Sequence, residues 1–337
     1  MRSDLELKPD HDMRSARNRA LFRGVALGAM LLLTAAAHAE SLDPKAINAA
    51  DGSDLDARAN IAKLQILLDH AHFSPGVIDA RMGDNVRSAL KSFRDARGLN
   101  GNDDKLDDGV KSALGWGDGP VTGTYTETKD DVSGPFTKDI PDDFKAKSKL
   151  DHLGYSGPVE ELSEKFHMGQ DLMKELNPKV DFSRQGSELN VAQAPRADDL
   201  PKADRIEVDR DLNQVFVYGK DHKLVAAFPA TVGSQERPSP KGELEVKGVA
   251  KDPVYTYSPD LDFSGVKTDK PFKIAPGPNN PVGAVWIDLN KDGYGIHGTP
   301  DPSEVGKTAS HGCVRLTNWD AETLAKMVHP GMKVLFR

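Results

Sequence analysis

The sequence predicts a multidomain chain with a small all-α bundle near the N-terminus, a short α+β module, and a mostly-β C-terminal domain with a minor helix. Three observations lead to this prediction. Apolar residues repeat with helical spacing over 59–115, two short amphipathic helices precede a strand-like stretch within 148–193, and apolar residues alternate with a period of two after residue 203. A length of 337 residues is sufficient for this many domains.

The first 39 residues have the composition of an export signal. Arg14, Arg17, Arg19 and Arg23 precede the apolar run VALGAMLLLTAAA, which leads into the small-x-small pattern Ala-His-Ala that ends at Ala39. We interpret 1–39 as a signal peptide cleaved after Ala39 and 40–58 as a flexible lead-in. An uncleaved N-terminal anchor is the alternative, and translation from Met13 would remove the acidic residues that are unusual in such a signal.

The predicted bundle spans residues 59–115. Its two apolar stripes have helical spacing and are separated by FSPGVIDARMGD, a stretch rich in turn-forming residues. The stripes consist of Ile61, Leu64, Leu67 and Leu68, and of Val86, Ala89, Leu90 and Phe93. A stretch rich in Gly, Thr, Pro and Asp follows over 116–147, and we interpret it as a linker.

The middle module is expected over 148–193, with a second linker over 194–202. The stretch PVEELSEKF has the pattern of one short amphipathic helix. A second helix ends before Asn177-Pro178, because the residue before a proline disfavours helical backbone. The strand-like SELNVAQ follows these helices.

The C-terminal domain is expected over 203–337. The stretches RIEVDRDLNQVFVYG and KLVAAFPATVG predict paired strands, with Asp221-His222 near the turn. The stretch DLNKDG begins like a calcium-binding loop, but its twelfth position is Thr299, where a bidentate Glu is required. We therefore interpret 290–293 as a hairpin turn. One helical stripe over 319–328 predicts the minor helix.

Composition excludes two classes of function. The formal net charge of -8 and the pI of about 5.7 argue against nonspecific nucleic-acid binding, which needs a basic surface. Beyond the N-terminal run, no stretch of about 20 apolar residues occurs, so the body of the chain has no predicted membrane span.

Cys313 is the only cysteine of the chain. In an exported protein a single cysteine is an intermolecular link or a reactive thiol, and a buried, inert cysteine is the remaining alternative. Alternation in SHGCVRL places His311, Cys313 and Arg315 on one face of a predicted strand, which leaves Val314 and Leu316 for the core. Positively charged neighbours lower a thiol's pKa from about 8.5, so this pattern favours a reactive thiol.

A second histidine, His297, precedes Cys313 by sixteen residues in the stretch YGIHGT. Two apolar-flanked strands that each end in His-Gly are expected to lie side by side, with His297 within reach of Cys313. The amides of Gly312 and Cys313 form a candidate oxyanion hole, since glycine lets the backbone approach a substrate carbonyl. The pattern predicts acyl transfer by a cysteine–histidine pair. A zinc site of His297, His311 and Cys313 is the alternative, although a fourth ligand is missing.

The C-terminal domain resembles the L,D-transpeptidase (YkuD-like) catalytic domain. The resemblance lies in IHGTPDPSEVGKTASHGCVRL, VGSQERPSPKG and PGPNNPVGAVWIDL. It implies that Cys313 is the nucleophile. It also implies that His297 is the general base and that the Gly298 carbonyl holds its ring.

The resemblance assigns three further residues around the nucleophile. It implies that His311 lines the oxyanion side and that Ser310 orients the loop. Arg315 stands where some members carry Asn, and it either binds a substrate carboxylate through a bidentate contact or forms a structural salt bridge. Support of the loop is the alternative role for His311.

The implied reaction transfers a peptidoglycan stem peptide through a thioester. A tetrapeptide donor acylates the thiol, and an amine acceptor then forms a 3–3 cross-link or attaches a protein to peptidoglycan. If water is the acceptor, the enzyme is an L,D-carboxypeptidase or endopeptidase. Neither a metal nor a cofactor is expected, because the thiolate supplies the nucleophile. A non-catalytic peptidoglycan-binding scaffold is the alternative from another class.

The N-terminal segments also resemble known families. Residues 59–115 resemble the peptidoglycan-binding type 1 domain through LQILL, FSPGVIDARMGDNV, ALKSF and RGLN, although Ala80 stands where Gly is usual. Residues 148–193 resemble a degenerate LysM repeat through ELNPKVDF and SELNVAQ. These resemblances imply a wall-associated protein of the periplasm with no integral membrane contact after signal cleavage. A helical spacer and a structural adaptor are the alternatives.

Overall fold

The computed structural model describes residues 42–101, 105–193, 200–234, 238–259, 270–308 and 312–337. The described residues belong to one compact unit. The predicted signal peptide, Ser310 and His311 lie outside them. In the described part of the chain, no helix is long and apolar enough to cross a lipid bilayer.

The helices are α1 (Pro44–Ala49), α2 (Arg58–His70), α3 (Asp84–Arg97), α4 (Asp108–Ala113), α5 (Lys129–Ser133), α6 (Phe144–Lys147), α7 (Pro158–Lys165), α8 (Gln170–Leu176) and α9 (Asn318–Met327). The two predicted apolar stripes lie on α2 and α3, and both are buried. Phe73, between these helices, packs edge-on against Phe93 of α3, with ring centroids 5.5 Å apart. The α3 helix ends at Gly98, whose φ of 63° favours glycine.

The segment 116–147 contains a strand as well as α5 and α6. This strand, β1 (Thr122–Thr126), pairs antiparallel with β2 (Glu188–Ala192), which is the strand-like stretch of the middle module. The composition of 116–147 indicated a linker because its short strand, TGTYT, contains glycine and few apolar residues. The pairing of β1 depends on a partner that lies far along the chain.

The C-terminal strands are β3 (Arg205–Asp209), β4 (Gln214–Tyr218), β5 (Leu224–Pro229), β6 (Thr231–Val232), β7 (Gly242–Lys251), β8 (Tyr255–Tyr257), β9 (Phe272–Ile274), β10 (Val285–Leu289), β11 (Gly295–His297), β12 (Val314–Arg315) and β13 (Lys333–Phe336). Nine of these form a sheet in the order β5-β4-β3-β13-β7-β10-β11-β12-β6, and β8 pairs with β9. The β3–β13 and β11–β12 pairs are parallel, and the other pairs are antiparallel. The predicted mostly-β domain with a minor helix is confirmed, and α9 is that helix.

The residues of DLNKDG form the end of β10 and the turn to β11. These two strands pair antiparallel, with Trp286 opposite His297 and Asp288 opposite Gly295. The predicted hairpin turn over 290–293 is therefore confirmed.

The helical part packs directly on the sheet. Phe216 and Ala227, on β4 and β5, belong to the same buried apolar cluster as side chains of α2 and α3. Ala227 also exchanges backbone hydrogen bonds with the turn after α2: its carbonyl accepts from Ser74 at 2.9 Å, and its amide donates to His72 at 3.0 Å. Periodicity within each segment does not reveal these contacts, because they join distant parts of the chain.

Candidate active site

Cys313 lies directly before β12, where the chain turns sharply. Gly312 has a φ of 106°, in the left-handed region that favours glycine. Its carbonyl accepts a hydrogen bond from the Ser239 hydroxyl at 2.8 Å. The predicted extent of the strand over SHGCVRL is wrong, because among its described residues only Val314 and Arg315 are extended strand. The Gly312 conformation interrupts the strand at that point.

The two strands beside the candidate catalytic residues are neighbours in the sheet. The β11 and β12 strands are parallel, with Ile296 opposite Val314 and His297 opposite Arg315. Residues that lie opposite each other in paired strands project from the same face of the sheet. The expectation that the two stretches containing His-Gly lie side by side is confirmed.

The Cys313 thiol lies beside the entry to β11. It is partly exposed and donates a hydrogen bond to the Gly293 carbonyl at 3.5 Å. The backbone of Gly295 also hydrogen-bonds to the sulfur. Gly295 is the first residue of β11 and His297 is the last. The thiol therefore contacts the same strand that carries the imidazole.

The His297 imidazole has one nitrogen engaged by the backbone. Its Nδ1 lies 2.7 Å from the Gly298 carbonyl oxygen. A carbonyl oxygen only accepts hydrogen bonds, so Nδ1 carries a proton and Nε2 is the acceptor nitrogen of the neutral ring. The ring stacks on Trp286, with centroids 5.5 Å apart and planes 17° from parallel.

Both groups are neutral in the resting protein at neutral pH. Burial, together with the positive charge of Arg315, lowers the pKa of His297 to about 4. Burial raises the pKa of the Cys313 thiol and outweighs the opposing Gly295 amide and Arg315 charge. The sequence-based expectation of a lowered thiol pKa is therefore wrong, because desolvation exceeds the effect of nearby positive charge.

Arg315 projects from the same face of the sheet as His297 but forms no salt bridge with a described residue. It is partly buried, and within the described residues its Nε has no hydrogen-bond partner. Burial lowers the pKa of Arg315, and the negative charge of Asp301 opposes that effect, as does Cys313 when its thiol is ionised. The structural salt bridge considered for Arg315 is thus not present in the described part of the chain.

Sequence reasoning missed three residues around the thiol and the imidazole. They are Ser239, Tyr255 and Trp286. Burial raises the pKa of Tyr255, and the nearby Cys313 adds to this effect when its thiol is ionised. For these residues the only signal in the sequence was the alternation in VWIDL, which predicts on which face of a strand Trp286 lies. The alternation does not show which residue the indole contacts.

Residues 203–335 match the family model of the YkuD L,D-transpeptidase catalytic domain. A putative L,D-transpeptidase, YkuD from Bacillus licheniformis, is 28% identical over 178 residues, which are 52% of this chain and 91% of the relative. A second, YqjB from Bacillus subtilis, is 30% identical over 141 residues, which are 40% of this chain and 72% of the relative. For three Escherichia coli relatives, the chain covers only 58 to 61% of their length.

One of the similar solved structures is the NMR structure of the catalytic domain of an Enterococcus faecium L,D-transpeptidase, which is 24% identical. The alignment covers 41% of this chain and 98% of that domain, with a TM-score of 0.31. The family assignment rests on the sequence matches, and the range of the family model includes both His297 and Cys313. The chain belongs to the L,D-transpeptidase family, and residues 203–335 are its YkuD catalytic domain.

Proposed function

We propose that this protein is an exported peptidoglycan L,D-transpeptidase that acts through a thioester on Cys313. The observation that supports this most strongly is the parallel pairing of β11 with β12. The β11 strand, which ends at His297, lies beside β12, which begins directly after Cys313. The Gly298 carbonyl accepts a hydrogen bond from His297 Nδ1, which leaves Nε2 as a proton acceptor. Relatives described as L,D-transpeptidases supply the reaction class.

In the first half-reaction, Cys313 Sγ attacks the carbonyl carbon of the L-centre that precedes the terminal D-residue of a stem tetrapeptide. Because thiol and imidazole are both neutral at rest, the thiol proton passes to His297 Nε2 as the C–S bond forms. The amides of Gly312 and Cys313 stabilise the oxyanion, with His311 on the same side. His297 then protonates the leaving amine, the C–N bond breaks, and a thioester remains.

In the second half-reaction, an acceptor amine attacks the thioester carbonyl and gives a proton to His297. The C–S bond breaks, and the released sulfur regains that proton. An amine from a second stem peptide gives a 3–3 cross-link, and an amine of a protein gives anchoring. Arg315 is proposed to hold a donor carboxylate, since its Nε is unpartnered in the described part of the chain, and Ser310 is proposed to orient the loop.

The N-terminal segments are proposed to bring the catalytic domain to its substrate. Residues 1–39 direct export to the periplasm, and the segments 59–115 and 148–193 bind or approach peptidoglycan, as their resemblances imply. Purified protein without residues 1–39 is therefore expected to sediment with isolated sacculi. Failure to sediment would leave these segments as a spacer and an adaptor.

The thioester is tested with the single cysteine. Wild-type protein should release the terminal D-residue from tetrapeptide muropeptides and should gain the mass of a carbapenem on incubation. Cys313→Ala should do neither, because no other thiol exists in the chain. Full turnover by Cys313→Ala would overturn the mechanism. Sacculus binding without any wild-type adduct or turnover would favour a non-catalytic scaffold.

The acceptor is tested by muropeptide analysis of a deletion strain. Loss of 3–3 dimers would identify cross-linking as the main reaction, and loss of peptidoglycan-bound protein would identify anchoring. Accumulation of intact tetrapeptides without either loss would identify hydrolysis.

A further inference from the structure

A buried asparagine joins the ends of the two strands that carry the His297–Trp286 pair. Asn318, the first residue of α9, is 2% exposed. Its side-chain Oδ1 accepts hydrogen bonds from the backbone amides of Ala284 and Thr299, each at 3.1 Å. Ala284 directly precedes β10 and Thr299 follows β11 by two residues. One amide oxygen therefore ties the start of β10 to the loop after His297.

The Asn318 side chain fills a slot between two glycines. A Cβ built at Gly283 or at Gly298 would overlap Oδ1 of Asn318. Gly283 also has a φ of 63°, which a residue with a side chain adopts only with strain. Since the Gly298 carbonyl is the partner of His297 Nδ1, the Asn318 side chain packs against the peptide that holds the imidazole.

The other end of the Asn318 amide is held by the helical part of the chain. Its Nδ2 donates to Glu164 Oε2 at 2.9 Å and Oε1 at 3.2 Å, and to the Pro278 carbonyl at 3.2 Å. Glu164 lies on α7 and is buried. Because Nδ2 only donates and Oδ1 only accepts, these partners fix which way the amide faces. A flipped amide would set Nδ2 against two N–H groups.

We propose that Glu164 is a positioning residue for His297 and acts through Asn318 and the Gly298 peptide. The proposal rests on the proposed role of His297 as the general base. Glu164 lies on α7, outside the catalytic domain matched at 203–335. The proposal therefore means that the helical part of the chain helps to orient a residue of the active site. Neither Glu164 nor Asn318 needs to touch the substrate.

The test compares three variants on the full chain. Glu164→Leu removes both carboxylate acceptors of the Asn318 amide and leaves it the Pro278 carbonyl, and Glu164→Gln keeps one side-chain acceptor oxygen. Burial raises the pKa of the Glu164 carboxyl to about 8, although the hydrogen bond from Asn318 lowers it. A neutral glutamine side chain is therefore close to the state of this carboxyl at neutral pH. Glu161→Leu is the matched control, because Glu161 lies on the same helix, is less buried and has no hydrogen bond to Asn318.

We expect Glu164→Leu to lower kcat for D-residue release by up to about 100-fold with KM unchanged, because a small misplacement of a base costs rate rather than binding. Glu164→Gln should keep kcat within about threefold of wild type, as should Glu161→Leu. The ring-nitrogen NMR signals of His297 should report one Nδ1-protonated tautomer in wild type and in Glu164→Gln. Glu164→Leu should give a mixture of tautomers.

Wild-type kcat together with a single His297 tautomer in Glu164→Leu would overturn the proposal. If Glu164→Leu does not fold, Asn318→Ala replaces it, since this variant removes the amide that links Glu164 to the backbone amides of Ala284 and Thr299. A single unchanged tautomer in Asn318→Ala would also overturn the proposal. If wild-type protein releases no D-residue, the proposed function fails, while the tautomer measurement still decides the role of Glu164.

Discussion

Two histidines of this protein each stack on a tryptophan, and their pKa values shift in opposite directions. His297 stacks on Trp286 at 5.5 Å, and His167 stacks on Trp319 at 5.3 Å with the planes 11° from parallel. His297 Nδ1 faces a backbone carbonyl, whereas His167 Nδ1 faces the Asp69 carboxylate at 2.8 Å. Burial lowers the pKa of both rings. It prevails at His297. At His167 the charge and hydrogen bond of Asp69, together with the charges of Asp320 and Glu322, outweigh burial and raise the pKa.

The comparison teaches that burial alone does not decide which form of an imidazole is stable, because nearby carboxylates can outweigh the effect of burial on the pKa. A carbonyl orients the ring and leaves it neutral, which suits a general base. A carboxylate stabilises the imidazolium, which suits a structural ion pair between the end of α2 and the α7–α8 turn. The two sites are thus alike in packing and opposite in chemistry.

The largest difference is expected in catalysis. His297→Gln should lower the rate of D-residue release by about 10²–10⁴-fold, because it removes the proton acceptor. His167→Gln should leave that rate within a few-fold of wild type, since His167 belongs to a different cluster. The measurement is muropeptide turnover at equal concentrations of folded protein. Equal losses of rate in both variants would erase the functional distinction between the two sites.

The second difference is expected in the pH dependence of stability. His297 has a folded-state pKa of about 4, below its unfolded value of about 6.5, so its contribution is complete above pH 6.5 and is lost toward pH 4. This loss is at most about 3 kcal/mol. His167 has a raised folded-state pKa, so its contribution is complete below about pH 6.5 and is lost as pH rises through the folded-state pKa.

Urea unfolding between pH 4 and 9 separates these contributions. His297→Gln should flatten the acid side of the stability curve, and His167→Gln should flatten the alkaline side. Asp320 and Glu322 face the same cluster, and burial raises the pKa of Asp320 to about 7, so the comparison is each variant against wild type. Flattening on the wrong side by either variant would contradict the assigned charges.

A third difference concerns the Asp69 charge. Asp69→Asn should lower the free energy of unfolding by about 1–3 kcal/mol, because a buried imidazolium loses its charged partner. Asp95→Asn is the control, since Asp95 forms an exposed pair with Lys91 and should change stability by less than about 1 kcal/mol. Urea unfolding at pH 6 measures both. An equal loss of unfolding free energy in the two variants would show that the Asp69–His167 pair stabilises the protein no more than an exposed ion pair does.

The smallest difference is expected at Arg315. Its charge helps to lower the pKa of His297, so Arg315→Met should raise that pKa from about 4. Arg315→Lys keeps the positive charge and should keep the pKa nearer its wild-type value. Titration of the His297 ring by NMR measures the shift without substrate. A His297 pKa lower in Arg315→Met than in wild type would contradict the effect assigned to the Arg315 charge.

The sequence predicted the parts of the site that depend on local pattern. The stretch from His297 to Arg315 indicated the chemistry and the neighbouring strands, and alternation indicated a mostly-β domain. It did not predict the raised pKa of the Cys313 thiol, because desolvation depends on residues from several strands.

Long-range pairing was also beyond the sequence. Asn318 and Glu164 are 154 positions apart, and His167 and Asp69 are 98 positions apart. His167 lies between α7 and α8, and the pattern of its own segment does not identify a partner. Its contact with Asp69 needs the packing of α7 and α8 against the end of α2, which no local pattern specifies.

The charge state of the two imidazoles is the most direct test of this account. Ring-nitrogen NMR on the resting protein should show His297 as a neutral ring protonated on Nδ1 at pH 7, and His167 should lose its imidazolium proton only above the pKa of about 6.5 that is ordinary for histidine. Observation of His297 as an imidazolium at pH 7, paired with a Cys313 thiolate, would contradict the neutral resting pair from which the proposed acyl transfer begins.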